Sequence, residues 1–475
     1  MNTLYRFIAT GITLLEISGC AMSPEYKRPE MVVPDTFGSM YVAKTSFVTD
    51  NGQVKQVSEL GWREVFTDLM LQQLIETALL NNRDLRESAL NVESYQAQYR
   101  IQRSALFPGV DGSAYGTKQR TLGGSSHRTS ETYSLEVGTT SYELDLYGRI
   151  RNLKDQALER YLAMEETKKS AAISLIAEIS RAYFTWLADR ELLHISEDTR
   201  KVEEESYALV QQRVGAGIAN ELDLTQSRTS LETVKANLAM YRRLVAQDFH
   251  YLNVLAGTTL PEAVQKDNGL LSGVAPPRVM APDLSSEVLL QRPDIMSAEH
   301  ELKGANANIG AARAAFFPTV SLTASAGVIS TDFTDLFDGS SGSWSFSPSI
   351  RVPIFTAGKL QAELDVAKVQ KEIYIARYEK AIQTAFQEVA DSLVGMETYE
   401  AQVIAQKANL EANEQYFSLA RERYEQGVDS FLTLLDAQRS LYSSKQAFLS
   451  LKLAQVENQV NFYKVLGGGL NEFTQ

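Results

Sequence analysis

The chain has 475 residues, 44% hydrophobic and 22% charged, with a formal net charge of −13 at pH 7. That length has room for two or more domains, and the acidic balance argues against nucleic acid as a partner, since phosphate binding needs clustered Lys and Arg. No run of eighteen apolar residues occurs beyond the N-terminus, which excludes a helical membrane span but not a β-type span, whose signal per strand is far weaker.

Cys20 is the only cysteine, so no internal disulfide can form. Ahead of it stand one basic residue, Arg6, an apolar stretch from Phe7 to Leu15, and Ile17-Ser-Gly-Cys20. Small residues before a cysteine resemble the bacterial lipobox. Residues 1–19 therefore read as an export signal and Cys20 as a lipidated first residue. Glu16 departs from that pattern, and a short buried apolar helix is the alternative. Ala21 follows, not the Asp that retains a lipoprotein at the inner membrane. One lipid set is a modest anchor, so a second feature must hold the mature chain. Residues 20–60, polar and with Pro24, Pro29 and Pro34, read as an extended tail lying over a body.

Helical periodicity begins near Thr67 and stops at Asn81-Asn82; a second helix is predicted from about Asp84 to Leu106, broken by Pro108. Between Gly109 and Tyr147 the chain is rich in Gly, Ser and Thr, and Tyr133, Leu135 and Val137 alternate with polar residues, the period of a one-faced strand. From Gly148-Arg149 a single helix runs to about Arg213, roughly 98 Å at 1.5 Å per residue. A turn at Gly215 to Asn220 leads to another helix ending at Leu255-Ala-Gly257.

The pattern then starts again. Pro108 and Pro318, Gly148 and Gly358, Gly217 and Gly427, Gly257 and Gly467, and Asp84 and Asp294 are all 210 residues apart (318 − 108). The chain is an internal duplication: repeat 1 over 61–257, a linker over 258–285, repeat 2 over 286–467 and a short C-terminal tail over 468–475. In repeat 2, Val320 to Val328 alternate as one strand and Trp344 to Ile354 as another, the latter holding Pro348 and Pro353. The offset aligns Trp344 and Phe346 with Ser134 and Glu136, yet Val352 and Ile354 with Tyr142 and Leu144. A bulge or one-residue shift in one copy is expected.

Each copy thus has two strands, one very long helix and two shorter helices whose lengths sum to nearly the same span, as if stacked end to end. Four strands cannot close a membrane barrel, which needs about eight, and an open sheet edge in lipid leaves backbone groups unpaired. If the strands lie in a membrane, several chains must share one barrel.

Several stretches resemble one family closely: the TolC-like outer membrane factors, in particular the lipoprotein (NodT/OprM-type) channels of tripartite efflux pumps. They are Cys20 with Tyr26-Lys-Arg-Pro29, Ser141-Tyr-Glu-Leu-Asp-Leu-Tyr-Gly-Arg149, Leu289-Leu-Gln-Arg-Pro-Asp-Ile295, Ala305 to Pro318, Val352-Pro-Ile-Phe355, Leu435-Asp-Ala-Gln-Arg-Ser-Leu441 and Leu466-Gly-Gly-Gly469. The resemblance implies a mainly α fold with a membrane β-barrel: a homotrimer in which four strands per chain form a twelve-stranded barrel in the bacterial outer membrane. Below it a long coiled-coil barrel of helices crosses the periplasm.

It implies the function of a passive exit duct in an RND-type efflux system, with no catalysis and no cofactor beyond a covalent lipid on Cys20. The partners implied are outer membrane lipid, a periplasmic adaptor and an inner-membrane RND transporter, with no nucleic acid. Gly215, Ala216, Gly217, Ile218, Glu425, Gln426, Gly427 and Val428 would lie at the periplasmic tip and meet the adaptor. Leu432 would narrow the pore as an apolar ring, and Tyr424, Asp436 and Arg439 would form a polar latch. Relatives often carry a basic residue where this chain has Glu425. The counterparts in repeat 1 are Val214 for Tyr424, Leu222 for Leu432, Gln226 for Asp436 and Thr229 for Arg439, so the ionic latch would belong to repeat 2 alone.

The competing reading of Asp436 and Arg439 is an ordinary surface pair on one helix face. For the whole chain, the alternatives are a type I protein secretion channel and a structural coiled-coil envelope lipoprotein. An enzyme is disfavoured: His127, His194, His250 and His300 stand without ligand spacing, and Gly467-Gly-Gly469 lacks the lysine of a phosphate loop.

Overall fold

The computed structural model describes residues 22–37, 61–121, 128–265, 269–277 and 285–468. The export segment, Cys20 and Gly469 to Gln475 lie outside these. In repeat 1, α1 spans Trp62–Val65, α2 Leu69–Asn81, α3 Arg83–Ser104, β1 Asp111–Thr121, β2 Arg128–Leu144, α4 Arg149–Gly215 and α5 Glu221–Ala256. In repeat 2, α6 spans Pro293–Ala314, β3 Thr319–Ser330, β4 Gly342–Arg351, α7 Lys359–Glu425 and α8 Phe431–Val465. The long helices α4 and α7 are each 67 residues, about 100 Å at 1.5 Å per residue.

The described chain divides into two compact units. One contains the chain up to Glu30, Leu90–Glu165 and Ser297–Glu379; the other contains Met31–Ala89, Glu166–Met296 and the chain from Lys380.

The first unit holds a four-stranded antiparallel sheet in the order β1-β2-β3-β4. Its register puts Leu135 opposite Val328, Val137 opposite Ala326, and Ala326 opposite Trp344, so apolar side chains form rows on one face. The other face carries Ser134 and Glu136 and the Ser321, Ser325, Ser345 and Ser349 hydroxyls, with Ser325 and Ser345 hydrogen-bonded at 2.8 Å. The apolar face is open: Trp344 is 79% exposed, and Phe346, Ile350 and Val137 are exposed too.

The expected bulge is in β2. Thr139 pairs with Ala324 and Tyr142 with Leu322, so Thr140 and Ser141 stand opposite Thr323 alone, and Ser141 takes φ 53°. The extra residue restores the parity that keeps Tyr142 and Leu144 on the apolar face. It also explains the sequence offset, because it lies between the shifted and the matching positions. One expectation fails. β4 ends at Arg351, so Val352, Pro353 and Ile354 are outside it. β3 begins only at Thr319, directly after Pro318, and Thr319 pairs with Arg351; beyond that point β4 has no strand to bond to. Pro348 stands opposite Leu322 on β4, the last strand of this chain's sheet.

In the second unit, Trp62, Phe66, Leu71, Leu74 and Ile75, with Ile176, Tyr183, Phe184 and Trp186 of α4 and Phe462 and Tyr463 of α8, are buried. Phe66 meets Tyr463 edge to face at 5.2 Å. Asp68 starts α2 by accepting from Leu71 N at 2.7 Å, and Tyr183 OH donates to the same oxygen at 3.1 Å.

The end-to-end stacking of the shorter helices is seen at one junction per repeat. In repeat 1, Asn82 caps α3 through Leu85 N at 2.9 Å, and its Nδ2 donates to the carbonyl of Leu255 in the last turn of α5 at 2.9 Å. In repeat 2, 210 residues on, Arg292 Nη1 donates to the Val465 carbonyl at 2.7 Å. The same joint is closed by a neutral amide in one copy and a guanidinium in the other.

Candidate functional site

The two turns share one backbone design. α4 ends with Gly217 at φ 72°, Gly217 N donating to Val214 O at 2.9 Å and Ile218 N to Arg213 O at 2.8 Å. α7 ends with Gly427 at φ 73°, Gly427 N donating to Tyr424 O at 3.0 Å and Val428 N to Arg423 O at 2.9 Å. Both are Schellman caps, which need a left-handed residue and therefore glycine. Asn220 then starts α5 by accepting from Asp223 N at 2.9 Å, and Ser430 starts α8 by accepting from Thr433 N at 3.4 Å. Gly215, Ala216, Gly217 and Ile218, and Glu425, Gln426, Gly427 and Val428, are all exposed.

Beneath the turns one apolar cluster ties the hairpins together. Val210 from α4 packs with Tyr424, Phe431, Leu434 and Leu435, and Val214, Leu224 and Phe417 flank them. Tyr424 is 6% exposed, 5.8 Å from Phe431 ring to ring, with the Arg213 guanidinium 4.6 Å above its face. Tyr424 is thus an anchor between the hairpins and is separated from the exposed face that carries the other candidate gate residues.

That face carries Leu432, Asp436 and Arg439 at i, i+4 and i+7 of α8, all exposed. Asp436 and Arg439 do not pair with each other. Asp436 accepts one hydrogen bond, from Tyr416 OH on α7 at 3.2 Å, and Arg439 makes no ion pair or hydrogen bond with any described residue. The repeat 1 counterparts share the exposure of Leu432 at Leu222, while Thr229 donates back into its own helix, to Thr225 O at 2.9 Å.

Three features were missed from sequence. Tyr416 escapes notice because its distance to Asp436 follows only from folding the hairpin about the turn near Gly427. Asp429 holds Arg423 in a two-bond fork, at 2.6 and 3.0 Å, and this lowers its carboxyl below the usual range. Repeat 1 has Ala219 at that place, and Arg213 is left to cover Tyr424. Glu203 is buried on α4, accepts from Ser230 Oγ at 2.9 Å, and has its second oxygen buried without a partner. Burial pushes its carboxyl up, opposed by Ser230 and by the charge of Arg439. Glu425 is paired locally with Arg421 at 3.0 Å.

Among the described residues no group of His, Cys, Asp and Glu is placed to hold a metal, and no helix is long and apolar enough to cross a membrane.

Comparison with known proteins agrees with this architecture. The family described as outer membrane efflux protein matches residues 74–258 and 284–468, one segment per repeat. The chain is 46% identical over 476 residues to the probable efflux pump outer membrane protein TtgC of Pseudomonas putida, covering 98% of this chain and 96% of that one. It is 38% identical over 460 residues to the cation efflux system protein CusC of Escherichia coli, covering 96% and 97%. Among solved structures it matches the open state of the Neisseria gonorrhoeae MtrE outer membrane channel with a TM-score of 0.84 at 38% identity, covering 95% and 99%. This chain therefore belongs to the outer membrane efflux protein family.

Proposed function

We propose that the chain is the outer membrane exit duct of a tripartite efflux system, working as a homotrimer. The observation that carries this is the sheet: four strands with one exposed apolar face and two unpaired edges, β1 and β4. Such a sheet is stable in lipid only when copies close it, because unpaired backbone groups in hydrocarbon cost several kcal/mol each. Three chains give twelve strands, above the roughly eight that a barrel needs.

The chain is a bacterial outer membrane protein, and its long helices form the tunnel in the periplasm. The exposed turn residues Gly215 to Ile218 and Glu425 to Val428 are where a periplasmic adaptor and, through it, an inner-membrane RND transporter engage. Leu432 narrows the pore, and Asp436 and Arg439, which leave each other free, reach partners on neighbouring helices. Tyr424 acts as the hinge anchor of the latch. Exposed ion pairs contribute about 0–1 kcal/mol each, so adaptor binding that favours the open state by a few kcal/mol is enough to open it. Cys20 carries the covalent lipid, residues 20–60 form the tail, and the protein has no catalytic role.

The test is ion conductance of the purified protein in planar bilayers, with heat-modifiable migration of its oligomer on gels. A conducting, heat-dissociable trimer is expected. Monomeric protein without conductance would overturn the reading.

A further inference from the structure

The tail's Tyr-Lys-Arg segment meets a site on α6 that neither the channel nor the gate requires. Glu299 is 6% exposed. Arg28 grips it through Nε at 3.1 Å and Nη2 at 2.8 Å, Tyr26 OH donates at 3.1 Å, and Lys303 Nζ stands 3.2 Å away. Further along α6, Asn306 Nδ2 donates to the Pro24 carbonyl at 2.7 Å, and Arg313 Nη1 donates to the Met22 carbonyl at 3.1 Å. Gly310 lets the backbone come close, since a Cβ there would stand 2.6 Å from Ser23 N. Tyr378 is fully buried with its hydroxyl unpaired, and its pKa is raised by burial and by the charge of Glu299.

The spacing is that of a fitted peptide. From Glu299 to Arg313, α6 rises about 21 Å at 1.5 Å per residue. From Arg28 back to Met22, an extended chain covers about 20 Å at 3.3 Å per residue. The tail runs antiparallel to the helix in near-perfect register, meeting a polar donor or acceptor at each end and once in the middle. Burial alone would raise the Glu299 carboxyl, yet Arg28 and Lys303 hold it below the ordinary value. A buried carboxylate of this kind is stable only while its cations remain.

We propose that Glu299, Lys303, Asn306 and Arg313 form a peptide-binding groove whose ligand is the chain's own extended Tyr-Lys-Arg tail, held independently of any lipid. The groove does not depend on the lipidation of Cys20 proposed above.

The experiment is limited trypsin digestion of the detergent-purified full chain, following cleavage after Lys27, which is exposed but lies in the held segment. Pro29 protects the bond after Arg28. Arg28→Ala alters a residue of the tail alone, while Glu299→Gln keeps the size of the buried side chain and removes its charge. Each should speed cleavage at least tenfold, the double variant no more than the faster single one, with bilayer conductance unchanged. Cys20→Ala should leave the rate within twofold of the parent. Equal rates in the parent, Arg28→Ala and Glu299→Gln would overturn the groove. Cleavage in Cys20→Ala as fast as in Glu299→Gln would show that the lipid holds the tail, and would overturn it equally.

Discussion

Arg292→Ala should be the most destabilising change at either repeat junction. Arg292 is 7% exposed and holds three partners: Asp294 through Nε at 3.0 Å and Nη2 at 2.8 Å, Glu388 at 2.9 Å, and the Val465 carbonyl at 2.7 Å. Charge-assisted hydrogen bonds contribute about 1.5–3 kcal/mol each, but the losses do not add. Asp294 and Glu388 are each nearly half exposed and recover water when the guanidinium leaves. The carbonyl of buried Val465 has no such recourse and costs about 1–3 kcal/mol when left unpaired. With the lost stem packing the total is about 2–4 kcal/mol. Asn82→Ala at the matching joint removes one neutral donor and one helix cap, about 1–2 kcal/mol. The comparison uses the loss of helical circular dichroism at one fixed heating rate, which stays valid where unfolding is irreversible. A larger drop for Arg292→Ala is expected, with Arg292→Lys between, since lysine keeps the charge and loses the fork. If Arg292→Ala falls no further than Asn82→Ala, the guanidinium is not what closes the joint.

At the tip, Asp436→Ala and Arg439→Ala should each raise the open probability of the lone channel in bilayers several-fold, while Gln226→Ala and Thr229→Ala leave it alone; unchanged conductance in both of the first pair removes them from the latch. Gly427→Val should cost about 1–2 kcal/mol through its positive φ, read as lowered thermal resistance, and a neutral result would mean that the turn had refolded without the left-handed cap. Asp248 on α5 is pushed up to about 7, by burial first, then by the charge of Asp189 on α4 and by hydrogen bonding with it. Between the ordinary carboxyl range near 4 and about 7, the folded chain keeps a proton that the unfolded chain has released. Stability should therefore fall as pH rises through that window and level above it. Asp248→Asn should flatten that slope, and a parent protein already flat from pH 4 to 7 would refute the pairing.

Much of this architecture is legible in the sequence because its signals are periodic or repeated. The 210-residue offset survives point changes, since it depends on glycines and prolines whose backbone roles few residues can fill: Gly217 and Gly427 both adopt the left-handed cap. The long helices follow from uninterrupted periodicity, and the bulge at Thr140 and Ser141 from a one-residue slip between copies. The end of β4 is not legible in the sequence, because alternation continues through Val352 and Ile354 whereas a strand stops where its partner stops.

What the sequence by itself determined is therefore the set of elements, their lengths, the duplication and the place of the turns, all properties of local periodicity and backbone chemistry. Only the tertiary structure decided which side chains meet. It placed Tyr424 inside the hairpin cluster and left Asp436 and Arg439 on the open face. It brought Tyr416 to Asp436, and it laid the Tyr26 to Arg28 tail against Glu299, more than 270 residues away. Those contacts depend on side-chain direction and on chain segments remote in sequence, and neither leaves a periodic trace.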